Sequence, residues 1–230
     1  MTAKILFPLL IALVALLLAH CGGSEAPPEP AEPQEAVEAP PPEPEPEPQA
    51  KVEPEPEPAP PPQPAGPPRV RMETDKGDLV LELYPDRAPE TVENFLQYVD
   101  DKFYDGTIFH RVIRGFMIQG GGFTSQMREK ETRSPIQNEA GSLANLKYTI
   151  AMARLPSPHS ATAQFFINHQ TNRGLDKDQA RDGWGYCVFG KVVEGSQVVE
   201  AIAGVATGNK AGHQNVPVSP VVIKSVRREG

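Results

Sequence analysis

Phe109-His110-Arg111-Val112-Ile113-Arg114-Gly115-Phe116-Met117-Ile118-Gln119-Gly120-Gly121-Gly122-Phe123 is the stretch of this 230-residue chain on which its fold and function turn. An ordinary half-buried strand alternates apolar with polar residues. Here a central arginine is interleaved with aromatics, a methionine and a glutamine, and the run closes on three glycines.

Three further blocks follow it: Thr149-Ile-Ala-Met-Ala-Arg154, Gln164-Phe-Phe-Ile-Asn168 and Tyr186-Cys-Val-Phe-Gly190. In this order the four blocks resemble the cyclophilins, which are peptidyl-prolyl cis-trans isomerases. The resemblance runs from about Arg69 to the C-terminus and is strongest to the bacterial, periplasmic branch. It implies a mostly β fold, a closed eight-stranded antiparallel barrel capped by two α-helices. It also implies proline-containing client polypeptides as partners, no cofactor and no metal.

The residues themselves suit that chemistry. Rotation about a peptide bond is slow because resonance raises a barrier of ~18–20 kcal/mol, and Xaa-Pro bonds populate both isomers. Catalysis needs a site that grips the proline ring and favours the twisted bond. As the bond twists, the imide nitrogen becomes a better hydrogen-bond acceptor. A fixed cationic donor aimed at it therefore binds the transition state better than either ground state. Arg111 is the candidate donor, since a guanidinium stays charged in a half-dry cleft. Phe116, Met117 and Phe166 are the candidates for the ring slot, with Leu175 as an outer wall and Phe109 and Ile113 beneath. Gln119 can hold a substrate carbonyl, because an amide both donates and accepts.

Further positions come from the resemblance. It implies that the backbone at Met152 grips the peptide and leaves that side chain free to vary. It places Ala153 and Gln164 in the site, and puts Tyr186 at the pocket edge where many relatives carry histidine. Arg173-Gly174-Leu175-Asp176 departs from the family, whose members usually have a large aromatic where Gly174 stands. A more open pocket and weak binding of cyclosporin-type inhibitors are expected, unless Trp184, the only tryptophan, swings into the space. Taken singly, each of these residues has a plainer role: a strand arginine reaching solvent or a carboxylate, core aromatics, a gap-filling methionine. Only their joint arrangement points to a site. The competing reading is a non-catalytic module that binds proline segments.

The chain divides into three regions. Residues 1–20 read as a signal peptide, with Lys4 before an apolar run from Ile5 to Ala19 that is too short for the ~20 residues of a bilayer span. Leu18-Ala19-His20-Cys21 resembles a bacterial lipobox with His20 as a departure, which implies lipidation of Cys21 and stable anchoring to a membrane surface. From Gly22 to Pro68 the chain carries 19 prolines, 11 glutamates and one lysine. Such a segment forms no core and is expected to be a disordered spacer biased to polyproline II. The lipid anchor implies a bacterial envelope protein facing the periplasm, and Gly22-Gly23-Ser24 favours the outer membrane.

The net charge of −8 belongs to that linker, for residues 69–230 total about +1. A basic field for nucleic acid is therefore absent from the expected isomerase domain, 69–230, which is read as a monomer. Gly-x-Ser-x-Gly and His-Glu-x-x-His do not occur, and the five histidines show no metal-ligand spacing. With Cys21 lipidated, Cys187 has no partner and reads as a buried apolar residue. His110 reads as structural.

Within the domain, Val70 and Met72, then Leu79, Leu81 and Leu83, alternate on either side of Asp75-Lys76-Gly77 as in a hairpin. Pro89 starts a helix carrying Val92, Phe95, Leu96 and Val99 at helical spacing. Short strands are expected near 108–113, 116–119, 148–152, 164–167 and 186–193. A second helix fits Ser196 to Ala203, and a last strand Val221 to Arg227.

Overall fold

The computed structural model describes residues 66–229. The expected signal peptide, Cys21 and nearly all of the linker lie outside the described residues.

In chain order the elements are β1 (Arg69–Thr74), β2 (Gly77–Leu83), α1 (Pro89–Asp100), β3 (Thr107–Ile113), β4 (Met117–Thr124), β5 (Thr149–Met152) and β6 (Phe165–Asn168). They continue with β7 (Val188–Glu194), α2 (Ser196–Ala203), β8 (Thr207–Lys210), β9 (His213–Pro217) and β10 (Ile223–Glu229). A 3-10 turn occupies Arg173–Leu175. Eight strands form one curled antiparallel sheet in the order β10-β1-β2-β7-β5-β6-β4-β3. The ladder does not run continuously from β3 back to β10, so the sheet is curled and open rather than the fully closed barrel expected. Gly106 and Phe109 N–H groups donate across the seam to the carbonyls of Ile223 (2.9 Å) and Val221 (3.0 Å).

Inside the curl, strand side chains of period two meet one face of each helix. Val92, Phe95, Leu96, Tyr98 and Val99 of α1 and Val198, Val199, Ile202 and Ala203 of α2 share one core with Val70, Met72, Leu79, Leu81 and Leu83. Each large side chain so buried contributes about 1.5–3 kcal/mol. Phe95 lies at the centre, with the rings of Tyr104, Phe165 and Phe189 at centroid distances of 5.3, 6.0 and 5.1 Å. Gly121 sits against this cluster with φ +83°, where a Cβ would fall 2.7 Å from Phe165 and 2.9 Å from Tyr104. Only glycine lets β4 pass there. The start of α1 has no local side-chain cap. The Glu139 carboxylate replaces it from a distant loop, accepting from the N–H groups of Glu90 (3.2 Å) and Thr91 (2.8 Å).

The hairpin β8–β9 was not legible in the sequence. It turns through Ala211 (φ 49°) and Gly212 (φ 79°), both left-handed, as a type I′ hairpin turn requires. Its β8 side chains are all exposed.

Candidate active site

Pairing register assembles the site. Arg111 on β3 lies opposite Gln119 on β4, Gln119 opposite Phe166 on β6, Phe166 opposite Ala151 on β5, and Ala151 opposite Val188 on β7. These residues form one row across five strands on the face turned away from the main core. Met117, Ala151, Phe166 and Val188 make a second, smaller apolar cluster there, against which Phe116, Ala153, Leu175, Tyr186 and Ile113 pack.

A β-bulge puts Arg111 in that row. The β3–β4 register slips between Phe109 and Arg111, so His110 is an extra residue and the alternation of β3 reverses across it. Phe109 consequently points into the main core, fully buried and edge-on to Phe165 at 6.1 Å. The expectation that Phe109 lies under the substrate is corrected for this reason. For Met152 the correction concerns the side chain and the N–H. Its side chain is buried in the main core and its N–H is donated to the Cys187 carbonyl at 3.0 Å. Neither its side chain nor its N–H is offered to the pocket, and the side chain is not free to vary.

The remaining candidates converge. A cavity of about 210 Å³ is lined by Arg111, Phe116, Met117, Gln119, Ala153, Arg154, Phe166, Leu175 and Tyr186. It is smaller than the roughly 300–1,000 Å³ of a drug-sized ligand site and suits a single small ring. Arg111 Nη1 donates to Gln119 Oε1 at 3.2 Å and touches Met117 Sδ at 3.9 Å. No carboxylate among the described residues pairs with it. Gln119 Nε2 donates to Gln164 Oε1 at 3.1 Å, and Gln164 Nε2 to Glu129 Oε1 at 3.4 Å. Every donor in this relay faces the same way, so the distant carboxylate orients both amides and leaves an oxygen for the guanidinium. Gln164 thus acts beside the cavity and through Gln119. Its side chain lies where a Cβ on Gly122 would be, 2.5 Å away.

Arg154 was missed as a lining residue. Its side chain is 3% exposed and ion-paired with Asp182. It also donates to the Gly185 carbonyl at 3.0 Å and the Leu155 carbonyl at 3.1 Å, and lies 4.5 Å over the Tyr186 ring. The ion pair with Arg154, aided by the Trp184 N–H, draws the Asp182 carboxyl down to about 2. Arg154 is a clamp on two loops and already spends its donors. The only signal for it was its place at the end of the 149–154 block.

Gly174 faces open space, with nothing within 4 Å of a Cβ built there. Trp184 does not fill it. Its ring stands edge-on to His159 at 5.1 Å, outside the cavity lining. His110 is buried against Phe123 at 4.6 Å, its Nδ1 without a partner. Burial first, then His213 and Arg111, lowers its pKa to about 4. A larger groove between Pro68, Pro85, Pro89, Val92 and Leu96 offers no comparable chemistry, for its Arg69 and Arg228 are engaged by Glu82 and Asp100.

A curled antiparallel sheet that presents one arginine, Arg111, free of carboxylates among the described residues, beside a ring-sized apolar slot fits a proline-recognising isomerase class. The family model described as cyclophilin type peptidyl-prolyl cis-trans isomerase/CLD matches residues 69–228, and the chain belongs to that family. It is 59% identical over 160 residues to peptidyl-prolyl cis-trans isomerase cyp18 of Streptomyces antibioticus, covering 69% of this chain and 96% of the relative. It is 55% identical over 159 residues to peptidyl-prolyl cis-trans isomerase B of Escherichia coli K12, covering 68% and 97%. Among solved structures, a cyclophilin type isomerase of Cryptosporidium parvum, solved in the presence of the dipeptide Ala-Pro, aligns with a TM-score of 0.58 and 26% identity. That alignment covers 70% of this chain and 99% of the other.

Proposed function

We propose that this chain is a peptidyl-prolyl cis-trans isomerase that works at the bacterial cell envelope on exported proteins whose slow folding steps are Xaa-Pro rotations. Isomerisation of such bonds is the activity of the family to which it belongs. The observation that carries the mechanism is Arg111, held by Gln119 at 3.2 Å beside a slot of Phe116, Met117 and Phe166.

The proline ring enters the slot, whose small size restrains ring and bond together. As the imide bond twists and its nitrogen loses conjugation, the Arg111 guanidinium donates to that nitrogen. Gln119 keeps the guanidinium fixed, so little reorganisation accompanies the twist. No bond is made or broken, and no proton leaves the protein.

Anchoring through a lipidated Cys21 would keep the domain on a membrane surface facing the periplasm, with the outer membrane favoured by Gly22-Gly23-Ser24. A linker biased to polyproline II would give it a reach on the order of 100 Å. The lipobox resemblance and the Pro/Glu composition support this reading, and the near-neutral domain suits a monomer. The seam hydrogen bonds of Gly106 and Phe109 support treating the curled sheet as a functionally closed barrel.

A protease-coupled assay with an Xaa-Pro peptide tests the activity. Wild type is expected to accelerate the rotation and Arg111→Ala to lose most of that acceleration. Undiminished activity in Arg111→Ala removes the mechanism. Incorporation of labelled fatty acid in wild type and its loss in Cys21→Ser tests the anchor.

A further inference from the structure

Three walls of the cavity, Phe116, Leu175 and Tyr186, stand on three separate segments of chain, and one buried polar cluster meets the backbone of all three. Asn145, Asn168, Asn172 and Asp176 are all at least nine-tenths buried. Asn172 Nδ2 donates to the Phe116 carbonyl at 2.9 Å and to Asn168 Oδ1 at 2.7 Å. Asn168 Nδ2 donates to Asn145 Oδ1 at 3.2 Å and to Thr149 Oγ1 at 2.9 Å. Asn145 donates through its backbone N–H (2.6 Å) and Nδ2 (3.1 Å) to Asp176 Oδ1, and more weakly through Nδ2 to the Tyr186 carbonyl at 3.4 Å. The backbone closes the circuit. Asn172 N–H donates to the Asn145 carbonyl at 2.8 Å, Leu175 N–H to Asn172 at 2.9 Å, and Tyr186 N–H to Leu175 at 2.9 Å.

Apolar residues would pack such a volume without the penalty of burying amides, and a half-satisfied polar network is worse than none. Here the amide donors and acceptors run in one direction and end on a carboxylate. We propose that this asparagine ladder holds the mutual spacing of Phe116, Leu175 and Tyr186, and that Asn172 is its key positioning residue. The ladder is thereby a determinant of substrate affinity, whereas Arg111 governs the rate of the twist. This inference rests on the isomerase reading above. It adds to that reading the groups that set the width of the ring slot where Gly174 supplies no wall of its own.

Asn172→Asp keeps the shape but replaces the amide donors with a carboxylate that faces the Phe116 carbonyl and Asn168 Oδ1. Asn172→Ser leaves one hydroxyl donor. Asn209→Asp on the exposed β8 strand controls for the added charge. The measurement is NMR titration and exchange spectroscopy with an Ala-Pro-containing peptide, which separates peptide affinity from the catalysed rotation rate in the folded, bound protein. Asn172→Asp is expected to weaken peptide affinity about tenfold, as loss of a buried hydrogen bond to a wall would do, and to leave the rotation rate of bound peptide within about twofold. Asn172→Ser should fall between, and Asn209→Asp should match wild type. Arg111→Ala should show the opposite split. If folded Asn172→Asp and Asn172→Ser both bind peptide as wild type does, the positioning role is overturned even though the enzyme is active. If wild type itself does not catalyse rotation, the isomerase reading fails instead.

Discussion

Arg111 and Gln119 face each other directly across the β3–β4 ladder, with Nη1 of one 3.2 Å from Oε1 of the other. The cation therefore leans on a neutral amide instead of a carboxylate. A carboxylate partner would pin the guanidinium and compete with a substrate nitrogen for its protons, whereas an amide oxygen orients it and leaves its charge uncompensated.

From this pairing, Arg111→Ala is expected to lower kcat/KM by about 100- to 1,000-fold, the usual loss when one transition-state donor is removed. Gln119→Ala, which frees the guanidinium without removing it, is expected to lower it roughly tenfold. A protease-coupled assay measures both, and equal losses would show that Gln119 does more than orient its neighbour.

Gly174→Trp places an indole into space where a Cβ meets nothing. Stability is expected to stay within about 0.5 kcal/mol, as for other surface changes. The family resemblance makes that aromatic a wall for cyclosporin-type inhibitors, so their affinity should rise roughly tenfold or more, in line with the ~1.5–3 kcal/mol of a large buried apolar contact. Inhibitor titration of the two proteins decides it.

His110 makes stability depend on pH in the acid range. Burial, His213 and Arg111 hold its folded pKa near 4, below the ordinary histidine value of 6.5. The unfolded chain therefore binds the proton first as pH falls. The contribution is complete above about 6.5 and is lost progressively as pH drops to 4, an effect on the order of 3 kcal/mol. Urea midpoints between pH 4 and 7 should fall less steeply for His110→Phe than for wild type.

Burial pushes the Cys187 thiol up to about 11, so little thiolate forms at neutral pH. In a Cys21→Ser background, a thiol reagent at pH 7.5 is expected to label Cys187 only when denaturant is added. Fast labelling of the folded protein would mean that the segment leading into β7 opens readily.

Both helices and the opening hairpin were legible because their apolar residues recur locally, at 3.6 or 2 residues. The β8–β9 hairpin was not, since its solvated side chains carry no alternation and its Ala211-Gly212 turn lacks the usual Asn-Gly or Asp-Gly signal. In the site, Arg111, Phe116, Met117, Gln119, Ala153, Phe166, Leu175 and Tyr186 were all named from sequence and do line one cavity. Phe109 was misassigned, for the bulge at His110 breaks the period of two that would put residues 109 and 111 on one face.

The order of residues along the chain determined by itself both helices, the opening hairpin and most of the sheet strands, and it marked Arg111, Phe116, Met117, Gln119 and Phe166 as side chains that could serve a proline. These properties depend on neighbours a few positions apart. Only the tertiary structure decided that Phe109 turns inward, that Arg154 is spent as a loop clamp, and that Asn145, Asn168, Asn172 and Asp176 join into one ladder behind the pocket. The reason is physical: strand register, bulges and buried hydrogen bonds between distant segments are fixed by what each group finds opposite it once the sheet has curled, and no local pattern records that.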